Sequence, residues 1–399
     1  MKKTLIALGT LAAFAGAASA QSNVTMFGVV DQSLNSVKNG SLSFKKMDSS
    51  QLSSNRFGVR GEEDLGGGLK AAFWLEAGMN TEAGAVGGNT SQPNSVGTGQ
   101  SSFFNRRSTV SLIGSFGELR VGRDYNPQFW NTVFGDVNGA NGIGEGLNLI
   151  NTSLNSGAAT FSRANNGIYY FLPSGLGGLY GHFGVSIDQG ATSFAGVNVP
   201  GTTAATNGGQ TGNAHRSARI GYASGPLEVA VAFGRTDVCS SGTAANCTGQ
   251  AAVIAKGYNS GSFNVFNAMA NYDLGVAKLY SFYNRNTFSP AKQSTYEISA
   301  GVPVATGEFR ISYGKQDSSG LYTSGTNALA AANLTTGTST LFGTSYVHNL
   351  SKRSMVYVGY GRISNSNNAA FRVLSGGESS NYALNTTSTA MNVGVRHAF

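Results

Sequence analysis

Residues 55–78, NRFGVRGEEDLGGGLKAAFWLEAG, are the part of the sequence that most directly indicates the fold. The segment begins with an alternation in which Phe57 and Val59 fall on one face of an extended strand and Arg56 and Arg60 on the other. Arginines remain in water or in ion pairs, whereas the apolar side chains favour surroundings without water. The segment therefore predicts a strand with water on one face and an apolar environment on the other.

The composition does not fit a conventional cytosolic enzyme. The chain has 399 residues, of which 56 are Gly and 7 are Pro, and only 12% are charged, against about 25% in soluble domains. No charge run, proline-rich hinge or change of composition divides the chain, and a single large all-β unit of this size is allowed. We therefore interpret residues 21–399 as one domain.

The N-terminus has the pattern of a cleaved secretory signal. Residues 1–20, MKKTLIALGTLAAFAGAASA, combine Lys2 and Lys3 with an apolar stretch and a small-residue cleavage site. The apolar stretch is too short to span a bilayer, and no later run of eighteen apolar residues follows it. The sequence predicts an exported domain in which any membrane-spanning role is carried by strands.

Strand-like alternation recurs along the chain. In residues 179–187, LYGHFGVSI, apolar and polar side chains fall largely on opposite faces, with the period of two of a half-apolar strand. STYEISAGV at residues 294–302 and EFRISYGKQ at residues 308–316 repeat this pattern. Short turns such as ASGPLE and NLSKRS join many of these segments, and long stretches rich in Gly, Asn, Ser and Thr separate others.

These features predict an all-β protein that forms a transmembrane antiparallel β-barrel. Short turns at one end and long polar loops at the other are typical of outer-membrane barrels, and closure gives every backbone group in the lipid a partner. Many of the 16 Tyr and 23 Phe lie near presumed strand ends, where rings can sit at the headgroup level. A soluble β-sandwich or a secreted β-solenoid with surface arginines remains the alternative.

Several motifs resemble the general porins of Gram-negative bacteria, above all the trimeric porins of the β-proteobacterial branch. Residues 55–71 fit the pattern S/N-R-F-G-x-R/K-G-x-E-D-L-G-x-G-L-x-A, and FFNRRSTVSLIGSFGELRVGRDY follows from Phe103. SNVTMFGVVDQSL, RANNGIYYFLPSG and MNVGVRHAF extend the resemblance over the mature chain. It implies a barrel of 16 strands with short periplasmic turns, long outer loops and a third loop folded into the lumen.

Sixteen alternating segments can be placed in the sequence. The alternation is least regular in the segments near residues 276 and 339. The segments start near residues 24, 55, 69, 103, 118, 163, 178, 213, 227, 262, 276, 293, 306, 339, 353 and 388.

A long stretch without strand pattern, residues 126–160, separates the fifth and sixth segments. A compact fold accommodates such a loop when the loop has a function, and the resemblance implies that it constricts the pore. Its acids Asp136 and Glu145 would then face a basic wall, and the transverse field would screen solutes by charge. The residues expected in this wall are Arg56, Arg60, Arg106 and Arg120.

Two adjacent arginines leave the orientation of one wall residue open. Family members carry arginines at the positions that match Arg56 and Arg106, but Arg107 follows directly in this sequence. Both neighbours can face the lumen only if a bulge intervenes, so one of them can instead lie at a subunit contact or above the lipid. For Arg120 and both acids, a solvated position away from the narrowest point remains the alternative.

The remaining chemistry-bearing residues indicate structural roles. Cys239 and Cys247 lie in a polar loop, and we expect a disulfide between them in an exported protein. His182 is the histidine on a clear lumen face, but no catalytic arrangement surrounds it, and we expect no metal, no cofactor and no enzymatic activity. The basic residues form no single stripe interleaved with aromatics, so nucleic-acid binding is not expected either.

The sequence therefore predicts an outer-membrane channel for passive diffusion of small hydrophilic solutes and ions. Without Lys2 and Lys3 the mature chain keeps 25 Lys and Arg against 19 Asp and Glu, a net charge of about +6 that favours anions only gently. Four candidate arginines against two candidate acids in the constriction favour a moderate preference for anions. The alternatives are a substrate-selective channel, which would show a graded aromatic path or a sugar-binding pocket, and an adhesin-type barrel with a blocked lumen. The resemblance also implies a homotrimer in contact with outer-membrane lipid and lipopolysaccharide, with Phe399 as the assembly signal for the barrel-insertion machinery.

Overall fold

A computed structural model describes most of the chain. The described residues are 23–87, 103–154, 156, 158, 160–186, 214–238, 261–288, 290–320, 337–373 and 384–399. The predicted signal segment, residues 1–20, and the predicted disulfide between Cys239 and Cys247 lie outside them.

The described residues form eighteen β-strands, one α-helix and a short 3-10 helix at Gly146–Leu149. No helix among them is long and apolar enough to cross a bilayer. The helix is α1 (Pro127–Phe134), and the strands are β1 (Asn23–Asn39), β2 (Leu42–Ser49), β3 (Arg56–Gly66), β4 (Leu69–Asn80), β5 (Ala85–Val86), β6 (Arg107–Gly114), β7 (Gly117–Tyr125), β8 (Arg163–Phe171), β9 (Leu179–Ser186), β10 (His215–Ser224), β11 (Leu227–Val238), β12 (Gly261–Asp273), β13 (Lys278–Phe288), β14 (Ala291–Val304), β15 (Gly307–Ser319), β16 (Gly337–Asn349), β17 (Ser354–Ser366) and β18 (Ser388–Ala398).

The strands form a single closed antiparallel barrel. Consecutive strands pair around the barrel except where β2 and β5 are inserted, and β18 returns to pair with β1. β1 pairs with β2 along one half and with β3 along the other, so β2 and β3 share one position in the barrel. The two-residue β5 pairs with the end of β4. The barrel therefore has sixteen strand positions, which confirms the predicted fold class.

The predicted strand starts all fall within four residues of an observed strand, including the two irregular segments, which are β13 and β16. The sequence did not reveal β2. Its outer face carries Lys45 beside Met47, and its inner face carries Phe44 beside Lys46, so neither face is consistently apolar. Without alternation, the segment gives no period-two signal.

The strands expose apolar side chains on the outer face and bury polar ones on the inner face, the reverse of a soluble β-protein. Along β14, Tyr296 and Ile298 are 51% and 64% exposed, while Glu297 and Thr295 are buried. On β3, Phe57 and Val59 alternate with Arg56 and Arg60 as predicted, and the arginines share the face of the buried Val29 of β1. Extensive apolar exposure on one face indicates a lipid-facing surface.

An inward turn interrupts the second strand position between β2 and β3. One carboxylate oxygen of Asp31 on β1 accepts hydrogen bonds from the backbone N–H groups of Leu52 and Ser53 at 2.5 and 2.7 Å, and the Tyr357 hydroxyl donates to the other oxygen at 2.6 Å. The backbone N–H of Asp31 donates to Asn55 at 2.6 Å. This buried network fixes residues 50–55 and determines where β3 begins.

Residues 127–151 lie against the inner face of the barrel. α1 has a proline at its first turn, which suits a helix start because the missing N–H is not needed there. Its Asn131 side chain donates to Asn267 of β12 at 3.0 Å. Further along, the backbone N–H of Val137 donates to Ser299 of β14 at 3.1 Å, and Ser312 of β15 donates to the Gly144 carbonyl at 2.6 Å. We call residues 126–160 the inner loop.

Candidate functional site

Three arginines gather near the end of the barrel where the inner loop begins. We call Arg56, Arg106 and Arg163 the upper arginine cluster. Arg106 forms an ion pair with Glu76 at 2.5 Å and donates to the Tyr125 hydroxyl at 2.6 Å. Arg163 donates to the same hydroxyl, and its guanidinium carbon lies 3.9 Å from the centre of the Tyr125 ring.

The third member of the upper cluster has no ion pair. Arg56 donates a long hydrogen bond of 3.4 Å to the Ser54 carbonyl, and no carboxylate in the described part of the chain lies within ion-pair distance of it. It is close enough to Glu76 and Arg106 to interact with both electrostatically. Three guanidinium groups therefore meet one carboxylate, and the cluster carries a surplus of positive charge.

A second group of arginines lies nearer the short turns. We call Arg60, Arg107 and Arg120 the lower arginine cluster. Arg60 and Arg107 lie 5.0 and 4.5 Å from the centre of the Trp74 ring, a cation–π geometry. Arg120 is neutralised locally, because it pairs with Glu118 at 2.8 Å and with Asp124 at 2.5 Å. Arg60 is exposed and Arg56 half-buried, and neither has an ion pair among the described residues.

The side chains of both Arg106 and Arg107 reach the inner face. Arg107 is the first residue of β6 and pairs with Glu76, so its inward direction follows from the strand register. Arg106 precedes the strand, where the alternation of faces does not apply, and reaches Glu76 from there. The sequence left the choice between them open and allowed both to face the lumen only with a bulge. Both reach the inner face because β6 begins at Arg107, after Arg106.

A bulge between β7 and β8 brings Asp124 to the lower cluster. The register shifts between Gly122 and Asp124. Gly122 has a φ of 124°, and a Cβ there would lie 2.1 Å from the Ser108 carbonyl oxygen. Glycine is required because it allows both the positive φ and this close approach. The shift directs the buried carboxylate of Asp124 towards Arg107 and Arg120, at 3.6 and 2.5 Å.

The two predicted acids of the inner loop lie elsewhere. Asp136 is buried, accepts from the backbone N–H groups of Asn138 at 2.7 Å and Gly146 at 3.1 Å, and lies beside the buried Glu297 of β14. Glu145 is near the same group, and one of its carboxylate oxygens is buried with no partner among the described residues. We call Asp136, Glu145 and Glu297 the carboxyl seat.

Burial controls the ionisation of the loop acids. It raises the pKa of Asp136, although the backbone N–H donors oppose the shift. Burial and the neighbouring Asp136 together raise the pKa of Glu145 well above its usual range. Neighbouring carboxylates repel each other, so burying them together favours the protonated form. The carboxyl seat therefore carries less negative charge at neutral pH than three separate carboxylates would.

The structure brings the four predicted arginines together but does not bring the acids to them. The arginines project from β3, β6 and β7, or precede β6, whereas the carboxyl seat lies on β14, half-way round the barrel. The expectation that Asp136 and Glu145 face the arginine wall is corrected here, because both turn towards β14. Sequence analysis could not detect this, since the side of the barrel that a long loop contacts is set by tertiary packing.

Sequence analysis also missed several charged residues of the inner face. Arg163 opens β8 and could have been noticed as the arginine of the RANNGIYY strand, but Arg219 and Arg396 carry no local motif. The predicted lumen position of His182 is confirmed, and its ring stacks on Phe171 at 4.8 Å. The additional inward residues include Glu76, Glu118, Asp124, Arg163, Arg219, Glu297 and Arg396.

A closed barrel with an apolar outer face and a charged, polar inner face defines a membrane channel of the outer-membrane type. The profile of the Gram-negative porin family matches residues 7–368 of this sequence. The chain belongs to the Gram-negative porin family. It is therefore an outer-membrane channel for the diffusion of solutes, which confirms the sequence-based interpretation.

Individual relatives span the whole chain. Outer membrane porin protein 32 of Delftia acidovorans is 33% identical over 100% of both chains. An outer membrane porin of Bordetella pertussis is 28% identical, also over 100% of both chains. Among solved structures, an anion-selective porin from Comamonas acidovorans aligns with 95% of this chain and 100% of its own, with 28% identity and a TM-score of 0.72.

Proposed function

We propose that this porin is a diffusion channel with a moderate preference for anions, selected by the upper and lower arginine clusters. The observation that carries the proposal is the separation of charge. Six arginines line one side of the lumen against three carboxylates in contact with them, while the acids of the inner loop are sequestered in the carboxyl seat. The anion-selective solved relative supports the same sign of selectivity.

The two unpaired arginines have the largest effect in this proposal. Arg56 and Arg60 have no carboxylate within ion-pair distance among the described residues, so most of their positive potential extends into the water column. Arg106 and Arg120 have ion-pair partners and act mainly by holding Glu76, Glu118 and Asp124 against the wall. The six arginines, rather than a pair of facing charges, then set the sign of the field.

The zero-current potential across a KCl gradient in a planar bilayer tests this proposal. We expect the parent channel to favour chloride at 0.1 M salt and to do so less at 1 M, because the Debye length falls from about 10 Å to about 3 Å. Replacing Arg56 and Arg106 together by Ala should lower the chloride preference, since Glu76 then loses its partner while two positive charges disappear.

The matched control is Arg353→Ala, which removes an arginine at the turn between β16 and β17, away from both clusters. It should leave the zero-current potential close to that of the parent. A parent channel that favours potassium at low salt would contradict the proposal. An unchanged double variant would show that the selective region lies elsewhere in the lumen.

We further propose the assembly state of the family for this chain, a homotrimer embedded in outer-membrane lipid and lipopolysaccharide, with the short turns on the periplasmic side. The barrel-insertion machinery would recognise the terminal Phe399. The disulfide between Cys239 and Cys247 would close a small outer loop, and replacing both residues by Ser should preserve conductance because strand pairing holds the barrel together.

A further inference from the structure

The inner loop exposes aromatic side chains to the lumen. Trp130 and Phe134 are four residues apart on α1 and therefore share one face of the helix. Phe129 and Asn131, on the other side, are buried against the barrel wall. Phe134 remains 42% exposed although it lies inside the barrel. Phe134 therefore presents apolar surface inside a lumen that is lined mainly by charged and polar side chains.

These rings form a continuous series. Tyr125, at the end of β7, lies 5.1 Å from Trp130 between ring centres, and Trp130 is stacked on Phe134 at 5.3 Å with planes 14° apart. Since the Phe134 carbonyl accepts from Asn271, near the short-turn end of β12, the series descends from the upper arginine cluster towards the short turns. We call Tyr125, Trp130 and Phe134 the aromatic track.

Guanidinium groups flank both ends of the aromatic track. At the upper end, Arg163 and Arg106 lie 3.9 and 5.8 Å from the centre of the Tyr125 ring. At the lower end, Arg219 lies 5.2 Å from the Phe134 ring and is fixed by a 2.6 Å hydrogen bond to Asn131 of α1. The helix that presents the rings is thus also tied to the cation at the lower end.

We propose that the aromatic track is a transit site for planar aromatic carboxylates. The ring of such a solute would pack against the exposed part of the stacked Trp130 and Phe134 rings, while its carboxylate would move between the guanidinium groups at the two ends. Contact with the exposed part of this ring pair is weak enough for release, which conduction requires. The inference rests on the proposed anion preference and adds a preference for ring chemistry among anions of equal charge.

Two probes of equal charge and similar size separate ring stacking from charge selection. Sodium benzoate is planar and aromatic, whereas sodium cyclohexanecarboxylate is neither. We expect zero-current potentials of the parent channel, measured with each salt at millimolar concentration, to give an anion permeability about threefold higher for benzoate, the size expected for a stacked pair of rings. Equal permeabilities in the parent would overturn the proposal, and this comparison needs no variant.

The double variant Trp130→Leu with Phe134→Leu should reduce the permeability ratio of benzoate to cyclohexanecarboxylate to about one. It should keep the chloride preference in KCl. Phe266→Leu is the control, because Phe266 is an exposed aromatic on the outer face of β12. A double variant that retains the benzoate preference would contradict the proposed transit site. So would one that loses its chloride preference as well, because the rings would then act only by positioning the inner loop.

The failure of the proposed function has a different signature. A parent channel that favours potassium in KCl contradicts the arginine-based anion preference, whatever the two carboxylates show. A parent that favours chloride but does not distinguish benzoate from cyclohexanecarboxylate leaves that function intact and contradicts the aromatic track alone.

Discussion

At the scale of single residues, Glu145 makes the attachment of the inner loop depend on pH. Burial and Asp136 raise its pKa well above the ordinary 4.5. A carboxyl whose pKa is raised by folding contributes stability that is complete below the unfolded pKa and is lost as pH rises through the folded pKa. We therefore expect the heat-unfolding midpoint of the parent to fall as pH is raised from 5 to 9.

Glu145→Gln should reduce that fall, because the amide cannot ionise. Asp136→Asn is the comparison. Each carboxylate oxygen of Asp136 accepts one backbone hydrogen bond, and an asparagine has only one acceptor oxygen, so the substitution should cost about 1–3 kcal/mol. Near pH 5, the unfolding midpoint of Glu145→Gln should match that of the parent, whereas the midpoint of Asp136→Asn should already be lower. A Glu145→Gln protein with the same pH dependence as the parent would exclude Glu145 as the cause.

Gly142 provides a second test at the residue scale. It has a φ of 89°, and an added Cβ would lie 2.2 Å from the backbone oxygen of Gln51. Gly142→Ala should lower the free energy of unfolding by about 1–3 kcal/mol more than Gly139→Ala does, because backbone atoms must move. Gly139 also has a positive φ, of 62°, but nothing lies within 4 Å of its added Cβ.

Single-channel conductance gives an independent readout for this pair of variants. The tip of the inner loop rests on residues 50–55, where the Ser54 hydroxyl donates to Asn141 at 2.8 Å. Displacing Gly142 should therefore change the conductance, whereas Gly139→Ala should leave it unchanged. Equal conductance and equal stability in the two alanine variants would show that the contact with Gln51 does not hold the loop.

At the scale of elements, the inward turn at residues 50–55 depends on Asp31. Asp31→Ala would leave two backbone N–H groups and the Tyr357 hydroxyl without their acceptor, and we expect a loss of about 3 kcal/mol in the free energy of unfolding. The control is Asp317→Ala, which removes an exposed ion pair with Lys315 worth about 0–1 kcal/mol. Denaturant unfolding measures both, and similar losses would refute the role of Asp31.

Most strands could be predicted from the sequence, whereas β2 and the position of the inner loop could not. Strands could be predicted because a barrel wall between lipid and water imposes an alternation that residues such as Tyr296 and Glu297 display locally. β2 escaped detection because it lacks that alternation. The position of the inner loop could not be predicted, since Asp136 and Glu145 are placed by contacts with β14 that are about 150 residues distant in sequence.

At the scale of the whole molecule, the barrel closes at its termini. Phe399 exchanges two backbone hydrogen bonds with Gly28, at 3.0 and 3.1 Å. Deleting Phe399 removes both bonds and the terminal aromatic, and we expect unfolded periplasmic chain, with the amount of heat-modifiable protein in the outer membrane as the measurement. Phe399→Tyr keeps the backbone and the ring and should assemble normally. Normal yield of the truncated protein would refute the terminal role.

The central claim is that anions pass along the arginine side of the lumen, opposite the carboxyl seat. Crystals grown in sodium bromide test it most directly, because anomalous scattering locates bound bromide without a variant. The claim predicts bromide within hydrogen-bonding distance of guanidinium groups of Arg56, Arg60 or Arg163 and none beside Asp136 or Glu145. Bromide bound elsewhere in the lumen, with all of these arginines unoccupied, would contradict it.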